Sequence, residues 1–407
     1  MATDGEGFIV GGVRLPRPFR IRRLGHFGLD LDDPEAGRVF YERLLGFRVS
    51  DPLDWDARLP PAERGRHGPG RGYFMRHGTD HHSFVLFPRR VRRALFARPG
   101  AGEEVTVNQV TWQVGSLKEV VDGHRWLAEK SIPIVRSGRD TPGSNWHVYP
   151  LDPTGHANEL YYGIEQVGWD GLSKPEAMHE EHFDEPPALP RVSEYAEVEA
   201  RRSAGIDAGA GWRQHEPDPE IYEVGGVLLA RPFKVVKIGP VRLFVPDIEA
   251  ALAFYRDLLG LMVTEEIDWH GHRCVFLRAN TEHHSLALYP LALRGELGLS
   301  PRTTLFSFGV ELGGYDQLRA AVPYLRDAGV GIRRLPPELF PGIDYSAFAR
   351  DPDGHLVQLY YTMEQVGWDG RPRPAAERPA VDNDHWPETV AARSDTFLGE
   401  ALLGPWN

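Results

Sequence analysis

The sequence predicts an α+β protein of two tandem domains, each made of paired βαβββ units whose curled, mostly antiparallel sheets surround a cleft, with helices outside. The first observation is that the chain is written twice. Residues 8–47 (FIVGGVRLPRPFRIRRLGHFGLDLDDPEAGRVFYERLLGF) return as residues 222–261 (YEVGGVLLARPFKVVKIGPVRLFVPDIEAALAFYRDLLGL), with Gly12 and Gly226, Phe40 and Phe254, and Gly46 and Gly260 each 214 positions apart. The second is that EQVGWDG at 165–171 returns unaltered at 364–370, now 199 positions on, so the second copy is 15 residues shorter over that span. The third is that each copy runs through strand, helix and strands, and then does so again.

In the first unit, alternation through Ile21 to Leu31 predicts a strand. Asp33 before Pro34 supplies an N-cap with proline at the first helical position. Val39, Phe40, Leu44 and Leu45 recur at helical spacing, and Gly46 can end the helix in a left-handed conformation. Extended segments follow at Gly72 to Arg76 and His82 to Phe87. The second unit opens with a strand at Val105 to Val114. Ser116 and Glu119 form a capping box for a helix through Ala128. Strands near Trp146 to Pro150 and Asn158 to Gly163 flank the turn DPTG. The second copy repeats this order, with helices from Asp247 to Gly260 and Tyr315 to Ala328 and a last turn at Asp351 to Gly354. The limits are a first domain at 1–172, a linker at 173–220 rich in Glu, Pro, Ala and Arg, a second domain at 221–371 and a tail at 372–407. In the tail, Trp386, Phe397, Leu402, Leu403 and Trp406 are apolar enough to dock, on this chain or on a second subunit.

With 41% apolar and 11% aromatic residues over 407 positions, each copy can bury a core. A formal charge of −12 argues against nucleic acid as a partner. The basic run RRVRRALFARPG (Arg89 to Gly100) reads as a solvated loop or helix. A single cysteine, Cys274, fits a reducing compartment. The first residues lack a signal-peptide pattern, and no apolar run approaches the ~18 residues of a membrane span. The expectation is a soluble, cytoplasmic protein.

A transition-metal site needs a few N and O ligands on one side of an ion and open positions on the other. His26 at the end of the first strand, Gln109 at the matching place of the second unit, Glu159 on that unit's last strand and His82 on the corresponding strand of the first are related by the small repeat. Two of them are lost from the second copy, where His26 becomes Pro240 and Glu159 becomes Gln358, with an apolar residue near Leu305 at the third place. The chemistry therefore belongs to the first copy.

The motifs GHFGLD, FYERLLGF, HHSFVL, VNQVTWQV and HVYPLDPTGHANELYYG resemble the vicinal oxygen chelate superfamily, and within it the two-domain type I extradiol dioxygenases, with glyoxalase I-like features. The resemblance implies that His26 and Glu159 are metal ligands, that His82 is the acid–base histidine beside the metal, and that Tyr149 faces substrate. Gln109 stands where those dioxygenases have a second histidine, as glutamine does in glyoxalase I-like members. In similar dioxygenases the metal usually sits in the C-terminal domain, another departure.

Each residue has a structural competitor. His26 reads alternatively as a satisfied strand-end histidine and Glu159 as half of a salt bridge; flanked by LYYG, it needs a cation if it faces inward. His82 recurs with its neighbour as His283 and His284, which suits packing, and His81 is expected on the opposite face of an alternating strand. Tyr149 reads alternatively as a core tyrosine. His147 could ligate if Gln109 turns away. Asp54, Trp55, Asp268 and Trp269 read as packing and turn residues, and His67, His77, His124, His156, His270, His272 and His355 as surface or structural.

The leading expectation is an Fe(II)-dependent extradiol dioxygenase that cleaves a catechol-like aromatic with O2. The alternative is a glyoxalase I-like isomerase, lyase or hydrolase using Zn(II), Mn(II), Ni(II) or Co(II) held by His26, His82, Gln109 and Glu159. A third is non-catalytic binding of an aromatic ligand. Neither nucleic acid nor membrane is an expected partner, and a homo-oligomer is usual for similar proteins.

Overall fold

The computed structural model describes residues 7–391 except 97, 99, 140, 141, 144, 169, 180–187, 367, 368, 383 and 384. A short hairpin, β1 (Phe8–Val10) and β2 (Val13–Leu15), leads into β3 (Arg23–Leu31), β4 (Arg48–Asp54), β5 (Arg71–Arg76), β6 (Phe84–Pro88), β7 (Val107–Gln113), β8 (Ile134–Gly138), β9 (Trp146–Pro150) and β10 (Asn158–Tyr162). The second copy repeats this with β11 (Tyr222–Val224), β12 (Val227–Leu229), β13 (Val235–Val245), β14 (Met262–Trp269), β15 (His272–Arg278), β16 (Leu286–Pro290), β17 (Leu305–Leu312), β18 (Ile332–Arg333), β19 (Ser346–Arg350) and β20 (Leu356–Tyr360).

Each copy forms one eight-stranded mixed sheet, in the orders β4-β5-β6-β3-β7-β10-β9-β8 and β14-β15-β16-β13-β17-β20-β19-β18. Within a unit the first strand lies parallel to the last, as Phe27 pairs with Phe84 and Asn158 with Val110. The two units join antiparallel through β3 and β7, where Gly28 faces Gln109. First strands thus lie side by side at the middle of the sheet, and the face opposite the helices gathers residues from both units.

Local chemistry sets the helices. The Asp33 carboxylate caps the Ala36 amide at 3.0 Å, and Pro34 begins the turn; such a cap stabilises by about 1 kcal/mol. The helix Pro34–Val39 then widens into a π-helical stretch, Phe40–Leu44, and ends at Gly46 with φ +84°. Ser116 caps the Glu119 amide of helix Leu117–Glu129. The Glu119 carboxylate reaches back to residue 116, accepting from Ser116 Oγ at 3.4 Å, and its other oxygen accepts from the Arg20 amide at 2.9 Å. That bond ties the helix to the chain entering β3.

The helix-side faces of both sheets merge into one core. The Phe84 and Phe308 rings stack 5.0 Å apart across the copies, with Tyr41 4.5 Å from Phe84. The seam is reciprocal: the Tyr41 hydroxyl donates to Asp351 at 2.9 Å, and the equivalent Tyr255 hydroxyl donates to Asp152 at 2.8 Å. His156 bridges Asp152 to Thr304, and His355 bridges Asp351 to Thr106. The two DPTG/DPDG turns thus brace the copies against each other, and both histidines are buried there.

Ser173 to Glu220 includes a helix at Glu194–Ser203, fixed to the first copy by Arg139–Glu197 at 2.7 Å and by Ser173 on the Ser50 carbonyl at 2.9 Å. In the tail, Trp386 packs under the Arg334 guanidinium at 3.9 Å. Phe397, Leu402, Leu403 and Trp406 lie outside the described residues. Among the described residues no helix is long and apolar enough to cross a membrane.

Candidate functional site

His26 lies within β3, not at its end, and is fully buried with Gln109 of β7 and Glu159 of β10. The adjoining strands bring the three together: His26 pairs with Thr111, and Thr111 with Glu159. The His26 Nε2 is 2.8 Å from Glu159 Oε2, which also accepts from Gln109 Nε2 at 3.0 Å and Thr111 Oγ1 at 2.9 Å. Asn145 Nδ2 donates to the other oxygen at 2.7 Å, and His147 Nδ1 lies 3.8 Å from it. Burial alone would raise the Glu159 carboxyl; the His26 imidazole, with His147 and the Thr111 hydroxyl, holds it down at about 2. The carboxylate is therefore charged, dry and ringed by donors.

This donor set fits a divalent transition ion. Two ligand atoms about 2.1 Å from one ion at a right angle lie about 3 Å apart, close to the His26–Glu159 separation. Among the described residues no cluster of three His, Cys, Asp or Glu is arranged around a common ion. Gln109 is placed to supply a third ligand atom after an end-for-end turn presents its amide oxygen. The His147 ring is the other candidate.

The His82 ring meets His26 edge-on at 4.4 Å. His81 and His82 precede β6 rather than alternating along it, so the expected opposition of faces does not hold. Their rings stand nearly perpendicular, with Nδ1 to Nδ1 at 3.0 Å, and His81 Nε2 contacts Asp51 at 2.6 Å. Burial, followed by the imidazoles of His26, His81 and His147, keeps His82 well below the ordinary histidine range. On β9, Tyr149 lies beside His147, rings 4.9 Å apart, and its ring sits 4.5 Å under the Arg136 guanidinium.

Sequence reasoning missed Thr111, Asn145, Asp51 and Arg92. Thr111 was findable, since it is two residues from Gln109 on the same strand face. Asn145 precedes β9 and carries no spacing signal. Arg92 belongs to the run expected to be solvated, yet it is buried on helix Arg89–Leu95. Val91 beside it anchors that helix in the cluster of Leu53, Trp55, Phe74, Val85 and Phe87. The basic run is thus half core.

The second copy has a different centre. Strand register puts Ser307, not an apolar residue, at the Gln109 position, opposite Arg242 as Gln109 is opposite Gly28. The fully buried Arg242 guanidinium lies 3.1 Å from His284 Nε2 and 3.4 Å from Ser307 Oγ. Gln358 donates to Ser346 at 3.0 Å. A fixed cation thus sits where the first copy gathers its ligands, and it would repel a metal. The Glu265–His283–His284 chain survives at 2.9 and 3.0 Å, so the paired histidines do not by themselves mark the chemistry.

The family model of the Glyoxalase/Bleomycin resistance protein/Dioxygenase superfamily matches residues 23–160 and 237–359, more than half of the chain. The protein belongs to this superfamily. A manganese-dependent 2,3-dihydroxybiphenyl 1,2-dioxygenase of Geobacillus genomosp. 3 is 27% identical over 134 residues, 32% of this chain and 38% of that one. The chain thus spans less than half the length of the curated dioxygenases it matches. A crystal structure of catechol 2,3-dioxygenase superposes with TM-score 0.52 at 18% identity, covering 94% of this chain and 98% of that one. A Mn(II)-bound glyoxalase from Novosphingobium aromaticivorans gives 0.52 at 15% identity, with 86% and 85% covered. At such identities the superpositions establish this superfamily member's two-domain fold.

Proposed function

We propose that the first copy is a metal-dependent, extradiol-type ring-cleaving dioxygenase acting on a catechol-like aromatic. The convergence of His26 and Glu159 on one dry point carries this reading, and similarity to dioxygenases in the curated relatives supports it. His26, Glu159 and Gln109 would hold the ion, Fe(II) in the first instance, with Mn(II) next. When bound, such an ion acidifies vicinal hydroxyls and links the substrate electronically to O2.

The chain's own residues do the rest. Thr111 and Asn145 fix the Glu159 carboxylate so that it does not reorient as charge changes. The contacts around His82 select a tautomer. With Asp51 accepting from His81 Nε2–H, His81 Nδ1 accepts from His82 Nδ1–H, leaving the lone pair of His82 at Nε2. That nitrogen can take a hydroxyl proton from substrate and return it as the ring opens. In the second copy the same nitrogen is occupied by Arg242. Tyr149 offers a hydroxyl to a substrate oxygen. The C–C bond beside one hydroxyl breaks, and both atoms of O2 enter the product.

Gln109 on the carboxylate favours a second reading, a glyoxalase I-like isomerase or lyase. The test is to load anaerobically purified protein with Fe(II) or Mn(II) and follow O2 uptake and the yellow ring-fission product across a catechol panel. Stoichiometric O2 uptake is expected. No uptake with either metal, together with isomerisation of a thiol adduct, would transfer the assignment to the second reading.

A further inference from the structure

A cavity of about 260 Å³ opens where the first copy, the end of the linker and the start of the second copy meet, and cations crowd its wall. Arg48 of β4 and Arg76 of β5 line it and are direct cross-strand partners. Like charges placed opposite each other repel, so strand pairing alone does not favour two arginines there. Lys234, just before β13, brings a third cation from the second copy. Arg231 and Glu216 also line the cavity, but they neutralise each other at 2.6 Å. The one other carboxylate of the wall is Glu220.

Among the described residues none of Arg48, Arg76 and Lys234 forms an ion pair. Arg76 is 6% exposed; its NH1 donates to the Gly78 carbonyl at 3.0 Å, and its Nε is buried with no hydrogen-bond partner among the described residues. Burial, followed by the Arg48 charge, holds that guanidinium below its ordinary value. Glu220 can offset one of the three charges, and burial keeps His77, also at the wall, neutral by lowering it to about 4. Two positive charges are left over, in a chain whose formal charge is −12.

The second copy shows that the fold does not require this arrangement. Arg278 repeats Arg76, each lying against the last glycine of EQVGWDG, Gly370 or Gly171. The cross-strand partner of Arg278, however, is Met262, 45% exposed, and Arg278 donates to Thr264 at 3.4 Å. Arg76 alone is thus a framework residue, and Arg48 is the charge that the first copy adds.

We infer that this cavity takes a phosphate group, as the free dianion or as the head of a small monoester, between Arg48, Arg76 and Lys234. A dianion matches the surplus charge, and guanidinium forks suit phosphate oxygens. Leu229 and Phe233 give part of the wall an apolar lining that suits the body of an ester. Because the cations come from both copies, the anion would tie the copies together and stabilise the folded chain. The site shares no residue with the His26–Glu159 centre, so it stands or falls independently of the dioxygenase reading.

The test is calorimetric titration of the full, metal-free chain with inorganic phosphate, at an ionic strength held constant with chloride. The parent is expected to bind phosphate, and Arg48→Met, which copies the second domain at this position, to bind it at least about ten-fold more weakly. Lys234→Met alters an exposed side chain and should show the same direction of loss, which keeps the test available should Arg48→Met fail to fold. Phosphate should also raise the melting temperature of the parent more than that of either variant. Phenyl phosphate forms a second arm: Arg48-dependent binding tighter than that of inorganic phosphate supports a site for an ester, and weaker binding supports a site for the free ion. No phosphate binding and no upshift in the parent at millimolar concentrations, or binding that both variants retain in full, would overturn the inference.

Discussion

Replacing Glu159 with glutamine separates a metal ligand from a structural ion pair. In the parent the carboxylate accepts from His26, Gln109, Thr111 and Asn145 at 2.7–3.0 Å, all buried. Glutamine keeps the volume but turns an NH2 towards some of those donors and removes the charge. Breaking a buried pair of this kind costs about 3–5 kcal/mol, so the metal-free variant, unfolding as one unit through the shared core, should melt roughly 4–6 °C lower by calorimetry. The second arm adds Mn(II). At a hundred times its dissociation constant, an ion bound only by the folded state stabilises the parent by about 2.7 kcal/mol, an upshift of roughly 3 °C. Glu159→Gln should show no upshift. A variant that melts with the parent and responds equally to Mn(II) would refute the assignment of the site. One that loses stability in a protein that never responds to the ion would leave Glu159 as half of a salt bridge.

Gln109→His should tighten Fe(II) and Mn(II) binding by about ten-fold, because imidazole is a stronger donor than an amide; chelator competition measures this, and unchanged affinity would show that the position turns away from the ion. Tyr41→Phe and Tyr255→Phe each remove a buried hydrogen bond across the seam and should each cost about 1–3 kcal/mol in urea unfolding; a loss in only one would contradict the reciprocal arrangement. Burial would raise Glu265, but hydrogen bonds from His283 and Arg378, and the Arg378 charge, hold it at about 2. Its folded value lies below the unfolded value of about 4.3, so its stabilisation is complete above that pH and is lost as pH falls towards 2. Glu265→Gln should therefore cost about 1–2 kcal/mol at pH 7, allowing for partial exposure. Urea titrations should show that difference shrinking below about pH 4, and a constant penalty would contradict the linkage.

Much of the site was legible because repetition acts as an internal control. His26→Pro240 and Glu159→Gln358, inside an otherwise preserved frame, identify the copy that keeps the imidazole and the carboxylate, and the structure brings those two side chains to 2.8 Å. Caps at Asp33 and Ser116 and the left-handed Gly46 were readable because each is a local device, complete within four residues. What periodicity could not supply was partnership across strands. Asn145 and Asp51 act from outside or across the strand pattern, and Ser307 was recognisable as the Gln109 equivalent only through the pairing of β13 with β17. Arg92 misled for a related reason. A run of arginines reads as solvated until an aromatic cage is known to close over one of them.

The sequence by itself determined the doubling of the chain, the fold class and the identity of the buried imidazole and carboxylate, since repeats, periods and missing residues are one-dimensional facts. Only the tertiary structure decided that Gln109 and Thr111 share the carboxylate, that Arg242 fills the second centre, and that Arg92 of the basic run is buried among Trp55, Phe87 and Phe96. Charge in a protein interior is governed by what lies within a few ångströms, and strand register, not position along the chain, sets those distances.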